Sequence, residues 1–203
     1  MAIFLIRHGE TLGNATRTVQ HPDIPLSPRG IEQAERLARR LEREGITAIL
    51  ASDYARAAET AAHLARVTGL AVRHEPLLRE RNFGDIRGTP YAELGFDMFA
   101  PDYAPPNGET WEVFHARVDR AWGALRAALA ETSGHLAVVT HGLVCRSLAA
   151  RHLLLPEGAV VPERWENTAV TIVDVPAPWR VRRLNCIAHL DGLATPPAES
   201  GTV

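Results

Sequence analysis

Two short apolar runs in this chain end in the same dipeptide. Ala2-Ile3-Phe4-Leu5-Ile6 passes into Arg7-His8-Gly9-Glu10-Thr11, and Leu136-Ala137-Val138-Val139-Thr140 passes into His141-Gly142. Unbroken apolar runs of this length, stopped by glycine, read as strands buried on both faces. Strands of that kind belong to largely parallel sheets with helices on both sides. Ligand crevices in open sheets lie off the carboxyl ends of the strands. Two histidines, one with an arginine beside it, are therefore expected at such a crevice.

The rest of the chain supplies the alternation that this architecture needs. Ser27 as N-cap and Pro28 at the first helical position predict a helix over 29–44. Its apolar face is Ile31, Ala34, Leu37, Ala38 and Leu41, and Gly45 ends it. Ile46 to Leu50 reads as a strand ending at Ala51-Ser52-Asp53, followed by a helix over 54–68 closed by Gly69. A short strand over 70–74, a long helix opening at Gly108-Glu109-Thr110, and a helix over 142–153 follow. Two strands over 168–175 and 179–185 are joined by Pro176-Ala177-Pro178. The β–α alternation predicts an α/β sandwich around a mostly parallel sheet. Residues 1–191 read as one domain, with a small lid inserted around 83–110 and a flexible tail over 192–203. The polar loop from Gly9 to Pro28 is long enough to suggest a functional role.

Composition narrows the chemistry. The net charge of -2 in 203 residues gives no global field toward nucleic acid or membrane. No apolar run reaches spanning length, no leader is evident, and two cysteines make neither a disulfide framework nor a zinc site. A cytoplasmic protein is the expectation. All 22 basic residues are arginine. A Schiff-base lysine and a phosphate-loop lysine are thereby excluded, and any anion clamp must use arginine, histidine or backbone N–H groups. Arginine suits phosphate through paired charge-assisted bonds.

Further pieces stand in order along the chain: Ser52-Asp53-Tyr54-Ala55-Arg56-Ala57-Ala58-Glu59-Thr60, then Leu78-Arg79-Glu80 with Phe83-Gly84 beside it, then Thr140-His141-Gly142. With Arg7-His8-Gly9 they closely resemble the histidine phosphatase superfamily, the phosphoglycerate mutase-like family, over roughly Ile3 to Val173. The resemblance implies a three-layer α/β/α sandwich with a mixed six-stranded sheet, one strand antiparallel. It implies a small phosphorylated substrate, no cofactor or metal, and a homodimer at the level of the family.

The residue types suit phosphoryl transfer, which needs a nucleophile, a clamp for the oxygens and an acid for the leaving group. Under the resemblance His8 is the nucleophile, with its second ring nitrogen donating to a backbone carbonyl. Arg7 and Arg56 hold the phosphoryl oxygens, and a protonated His141 adds a third positive contact. Asn14 donates, Gly142 gives close approach, and Glu80 is the general acid and then the base, with a raised pKa. Arg81 is a candidate for a substrate carboxylate or second phosphate. Other candidate selectors are Arg17, Gln20, His21, Phe83, Arg87, Tyr91 and Trp111. Glu10 reads as a cap or ion-pair residue. Thr60 reads equally as core or as support for the site. Cys145 to Arg151 matches the spacing of cysteine phosphatases, but lies in a predicted helix without glycine and reads as coincidence.

Two departures favour hydrolysis over a mutase. Glu80 and His141 are only 61 positions apart, and Thr11-Leu12-Gly13-Asn14 lacks the aromatic residue that mutases show there. Glu80-Arg81-Asn82-Phe83-Gly84 looks more mutase-like. The expected activity is hydrolysis of a phosphate monoester through a phosphohistidine. A phosphoglycerate mutase-type transfer is the alternative, and a non-catalytic phospho-ligand binding module the second.

Overall fold

The computed structural model describes residues 1–193, so most of the expected tail lies outside the described residues. The chain runs β1 (Ala2–Arg7), α1 (Leu12–Ala15), α2 (Pro28–Leu41), β2 (Ile46–Ala51), α3 (Ala55–Thr68), β3 (Val72–His74), α4 (Trp111–Ala130), β4 (His135–Thr140), α5 (Gly142–His152), β5 (Val170–Asp174) and β6 (Val181–Cys186). The six strands form one mixed sheet in the order β3-β2-β4-β1-β5-β6. β1, β2, β3 and β4 are mutually parallel, and β5 runs against both of its neighbours.

The unbroken apolar runs are explained by burial on both faces. Ile3 and Leu5 face one core with Leu136 and Val138, closed by Phe114, Val118 and Leu125 of α4 and Val144 and Leu148 of α5. Phe4 and Ile6 face the other with Ala137 and Val139, closed by Leu37 and Leu41 of α2 and Ala61 and Leu64 of α3. The three-layer α/β/α sandwich is thus formed. Each large aliphatic side chain here carries about 2–5 kcal/mol against truncation to alanine.

Local signals place the helices. Ser27 accepts from the Gly30 N–H and Pro28 occupies the first turn of α2; Thr110 caps α4 through Val113 N–H. Gly69 closes α3 in the left-handed region at φ 72°. Within the 83–110 stretch the only helical element between 88 and 110 is a 3-10 turn at Tyr91–Glu93. Gly95, in the left-handed region at φ 66°, ends any helical continuation, and the stretch is held by tertiary contacts instead. Met98 and Phe83 bury against Val19, and the lid hydrogen-bonds to the loop after β1 through Val19 N–Thr89 O (3.0 Å), Gly88 N–Val19 O (2.7 Å) and Tyr91 N–Arg17 O (2.8 Å).

β1 and β4 are neighbours in register, with Arg7 opposite Thr140. Their carboxyl ends therefore deliver His8 and His141 side by side.

Candidate active site

His8 is buried, and both ring nitrogens are accounted for. Nδ1 lies 2.7 Å from the Gly9 carbonyl, which only accepts, so the proton sits on Nδ1. Nε2 then carries the lone pair, and it accepts from Arg56 Nε at 3.3 Å. The backbone around it is held from three sides. His8 N–H donates to Thr140 O at 2.9 Å. Gly9 N–H donates to Thr60 Oγ1 at 3.0 Å, and Asn167 Nδ2 donates to His8 O at 3.1 Å. Thr60 is therefore support for the site as well as core.

Three positive or potentially positive groups face this ring. Arg56, in the first turn of α3, is buried and also donates to His21 O at 3.0 Å. Burial lowers its pKa to about 10, which leaves it charged at neutral pH. Arg7, the last residue of β1, donates to the Trp165 carbonyl, and its Nε is buried without a partner. His141 lies with its ring centre 5.1 Å from that of His8. Its Nε2 is 2.8 Å from Ser52 Oγ, while Nδ1 is buried and unpartnered.

The expectation of a protonated His141 is corrected. Burial, then Arg56, His8 and Arg7, hold its pKa well below the usual histidine value, so the unliganded site keeps it neutral. Burial, Arg56 and Arg7 do the same to His8, against the Gly9 bond that favours its charge. Neutral His8 is the nucleophilic form. Any positive character at His141 must come with an anion that offsets the two arginines.

Glu80 is placed by a separate network. Thr140 Oγ1 donates to Leu78 O at 2.7 Å and ties the loop to β4. Arg117 of α4 donates to the carbonyls of Leu77, Arg79 and Glu80 at 2.8, 2.7 and 3.2 Å, and is fixed by Glu109 at 2.7 Å through each of two nitrogens. The Glu80 carboxyl accepts from the N–H groups of Arg81 (3.0 Å) and Leu143 (3.3 Å). Its pKa is raised, because desolvation outweighs those two bonds and the charges of Arg56 and Arg7.

Asn14 closes a capping box with Thr11 and accepts from Asn167 Nδ2 at 3.2 Å. Both bonds use its oxygen, so its Nδ2 is the group left to donate. Gly142 lines the cavity, but a Cβ there would meet Arg7 only at 3.6 Å, ordinary contact distance. Space beside Arg7 does not demand glycine. Arg81 borders the cavity, yet its guanidinium donates to the carbonyls of Glu109, Met98 and Tyr103 at 3.0, 3.3 and 2.7 Å and stacks 4.0 Å from the Trp111 ring. Three of its five N–H groups thus pin the 83–110 stretch to the start of α4, which counts against a role in binding a substrate carboxylate. Glu10 accepts from Ser27 Oγ at 3.0 Å and pairs with Arg29 at 3.4 Å, as a cap and ion-pair residue. Cys145 is buried inside α5 and burial pushes its thiol up, as a coincidental motif requires. No group of three or more His, Cys, Asp or Glu among the described residues is placed to hold a metal ion.

His8, Arg7, Asn14, Arg56, Glu80 and Gly142 all line one cavity of about 450 Å³. Of the suggested selectors, Arg17, Gln20, Phe83, Arg87 and Tyr91 line it too, while His21 and Trp111 do not. Sequence reasoning missed Asn167, Arg117, Glu109, Arg146 and Arg164. Asn167-Thr168 directly ahead of an apolar strand was a usable signal, since polar residues at a strand edge beside a crevice often serve it. The others carry no local mark.

A family model, described as histidine phosphatase superfamily (branch 1), matches residues 3–187. The chain belongs to this superfamily. Among curated relatives, the probable phosphoglycerate mutase GpmB of Yersinia pestis (strain Pestoides F) is 31% identical over 213 residues, covering 94% of this chain and 95% of that one. Among solved structures, a putative alpha-ribazole-5'-P phosphatase from Escherichia coli K-12 matches with a TM-score of 0.81 and 30% identity, over 93% of this chain and 98% of that one. A mycobacterial glucosyl-3-phosphoglycerate phosphatase, in complex with VO3, matches with 0.77 and 27% identity, over 91% and 98%. This histidine phosphatase superfamily member therefore resembles relatives carrying both phosphatase and mutase names. No helix among its described residues is long and apolar enough to cross a membrane.

Proposed function

We propose that the chain is a phosphatase that hydrolyses a small phosphate monoester through a phosphohistidine at His8. The observation that carries this reading is the fixed His8 tautomer. With Nδ1–H held on the Gly9 carbonyl, Nε2 meets the cavity as a lone pair among two arginines. Nε2 attacks phosphorus while the bond to the leaving oxygen breaks. Arg7 and Arg56 carry the charge on the phosphoryl oxygens, and Asn14 donates to them. Nδ1 of His141, buried and unpartnered, is suited to a third oxygen contact. Glu80, whose burial raises its pKa and favours the protonated form, gives its proton to the leaving oxygen. As carboxylate it then takes a proton from water, whose oxygen attacks phosphorus and breaks the P–N bond, restoring His8.

Hydrolysis rather than transfer is supported by the short lid. A mutase must keep water from its phosphohistidine. Here the interval from Glu80 to His141 holds only the 83–110 stretch, α4 and β4, and exposed residues Arg17, Arg146 and Arg164 stand at the cavity. The mutase-named relatives favour the other reading. Incubation with labelled 2,3-bisphosphoglycerate and 3-phosphoglycerate separates the two. Release of inorganic phosphate faster than transfer is expected; transfer outrunning hydrolysis would overturn the phosphatase reading. No release from any ester would leave a phospho-ligand binding module.

A further inference from the structure

The last described turn of the chain reaches back to the loop behind His8. This 3-10 turn, Ala188–Leu190, follows β6 and lies against α2. Two arginines of α2 hold it. Arg36 donates to Asp191 O at 3.1 Å, and Arg40 donates to Cys186 O at 3.3 Å and to Nδ1 of His189 at 3.0 Å. A guanidinium only donates, so Nδ1 is the acceptor. Burial, then Arg40 and Arg36, lower the His189 pKa to about 4, so the ring is neutral at neutral pH and its one proton sits on Nε2. Nε2 lies 3.0 Å from Thr168 Oγ1 and donates to it. The hydroxyl proton of Thr168 then goes to Asn167 O at 2.7 Å. Each proton along this relay has one acceptor.

Thr168 has need of that bond. It lies at φ 54°, in the left-handed region, which a β-branched residue keeps only where its surroundings impose it. It is fully buried, and its own N–H donates to His8 O at 3.2 Å. Asn167 beside it donates through Nδ2 to the same oxygen at 3.1 Å and to Asn14 Oδ1 at 3.2 Å. The His8 carbonyl is thus gripped by two consecutive residues of a strained turn, and Asn14 by one of them. The other end of this loop is tied as well, since Glu166 N–H donates to Asn185 Oδ1 at 3.0 Å. None of Asn167, Thr168 and His189 lines the cavity. Any effect of His189 on the chemistry must therefore pass through His8 and Asn14.

We propose that His189 is a positioning residue: by donating to Thr168 it clasps the left-handed turn that sets Asn167 against the His8 carbonyl and Asn14. For turnover this rests on the phosphatase reading, but the clasp itself is read apart from it by amide hydrogen exchange. Two substitutions separate the clasp from the docking of the C-terminal turn. In His189→Gln the side-chain nitrogen takes the place of Nε2 and keeps the donor to Thr168. In His189→Asn the side-chain oxygen takes the place of Nδ1 and keeps only the acceptor for Arg40. His189→Asn should lower kcat on a nitrophenyl phosphate ester about tenfold, with KM changed by about twofold or less. Amide exchange across residues 166–169 should be about tenfold faster in that variant. His189→Gln should stay near wild type in both. The loss in His189→Asn should shrink to about twofold or less in an Asn167→Ala background, where its route to His8 is cut. It should shrink likewise in Thr168→Gly, since glycine holds a left-handed φ without help. Equal turnover of the Gln and Asn variants would overturn the positioning role, as would a tenfold loss that persists in either background. Faster exchange in His189→Asn, in a protein whose wild type hydrolyses no ester, would sink the phosphatase reading and leave the clasp standing. Hydrolysis by wild type with exchange alike in the two variants would sink the clasp alone.

Discussion

The same burial pushes His8 and Glu80 in opposite directions, and that split suits the roles proposed for them. Desolvation lowers the His8 pKa and raises that of Glu80. His8 is neutral at any pH above its lowered pKa, so activity is lost on the acid side only well below the usual histidine value. Glu80 must start protonated, so kcat/KM falls as pH rises through its raised pKa. The profile should therefore rise toward the acid side of neutrality. Glu80→Gln should remove the alkaline limb relative to wild type on the same substrate, so that the substrate's own ionisation cancels. It should also cost about 10²–10⁴ in rate for esters with poor leaving groups and far less for nitrophenyl esters. Equal losses on both would argue against proton donation. Arg117 donates to the Glu80 carbonyl and does not line the cavity, so a positioning role is expected of it. Arg117→Ala releases three carbonyls and Glu109, and should lower kcat about 10²-fold with KM little changed, while shifting the alkaline limb. An unshifted limb with only a lower melting temperature would leave Arg117 a merely structural residue.

The segments around the cavity are joined by close backbone packing. Gly30 in the first turn of α2 lies against the loop after β1, and a Cβ there would stand 1.9 Å from the Glu10 carbonyl oxygen. That oxygen accepts from Ser27 N–H at 2.9 Å. Gly30→Ala must push α2 away from Gly9 and Glu10. A loss of about 1–3 kcal/mol in stability is expected, with reduced activity in the folded fraction; unchanged stability and turnover would show that the contact is slack. Gly84 at φ 53° has a similar place at the lid neck, where a Cβ would stand 1.9 Å from Pro106 O. These contacts also explain what the sequence shows of the site. His8, His141 and Arg56 stand at strand ends and helix starts, and Glu80 in a glycine-punctuated polar loop, where local pattern points to them. Arg117 and Arg146 lie inside helices without such a mark, and Asn167 and Glu109, though just ahead of β5 and α4, find their partners only across the fold. Asn167 reaches His8 across 159 positions, and Arg117 reaches Glu80 across 37, so their roles exist only after folding. The sandwich was legible because unbroken apolar runs have one good solution, burial on both faces. The conformation of the 83–110 stretch was not, since its order comes from docking onto Val19 and Arg17 rather than from helical periodicity. The expected charge on His141 failed for a similar reason, because the sequence shows the histidine and not its burial.

The whole molecule should register this site in its stability. His8 and His141 both have depressed pKa values when folded. The unfolded chain takes up protons near pH 6.5, where the folded chain does not. Their contribution is complete above that pH and is lost as pH falls from about 6.5 toward the folded values, about 1.4 kcal/mol per unit of depression. Glu80 is raised and opposes this, but it is one group against two. The unliganded protein should therefore melt lower at pH 5 than at pH 7, and His8→Gln should flatten the slope. A slope unchanged in that variant would contradict a buried neutral His8. Vanadate should raise the melting temperature, because it binds only the folded state. The most direct test is to trap the covalent state. Wild-type protein is mixed with a nitrophenyl phosphate ester, quenched within milliseconds in alkali, digested and sequenced by mass spectrometry. A base-stable, acid-labile phosphoryl group on His8 is expected, absent in His8→Ala together with turnover. Undiminished turnover in His8→Ala, or a phosphoryl group on another residue, would contradict the mechanism.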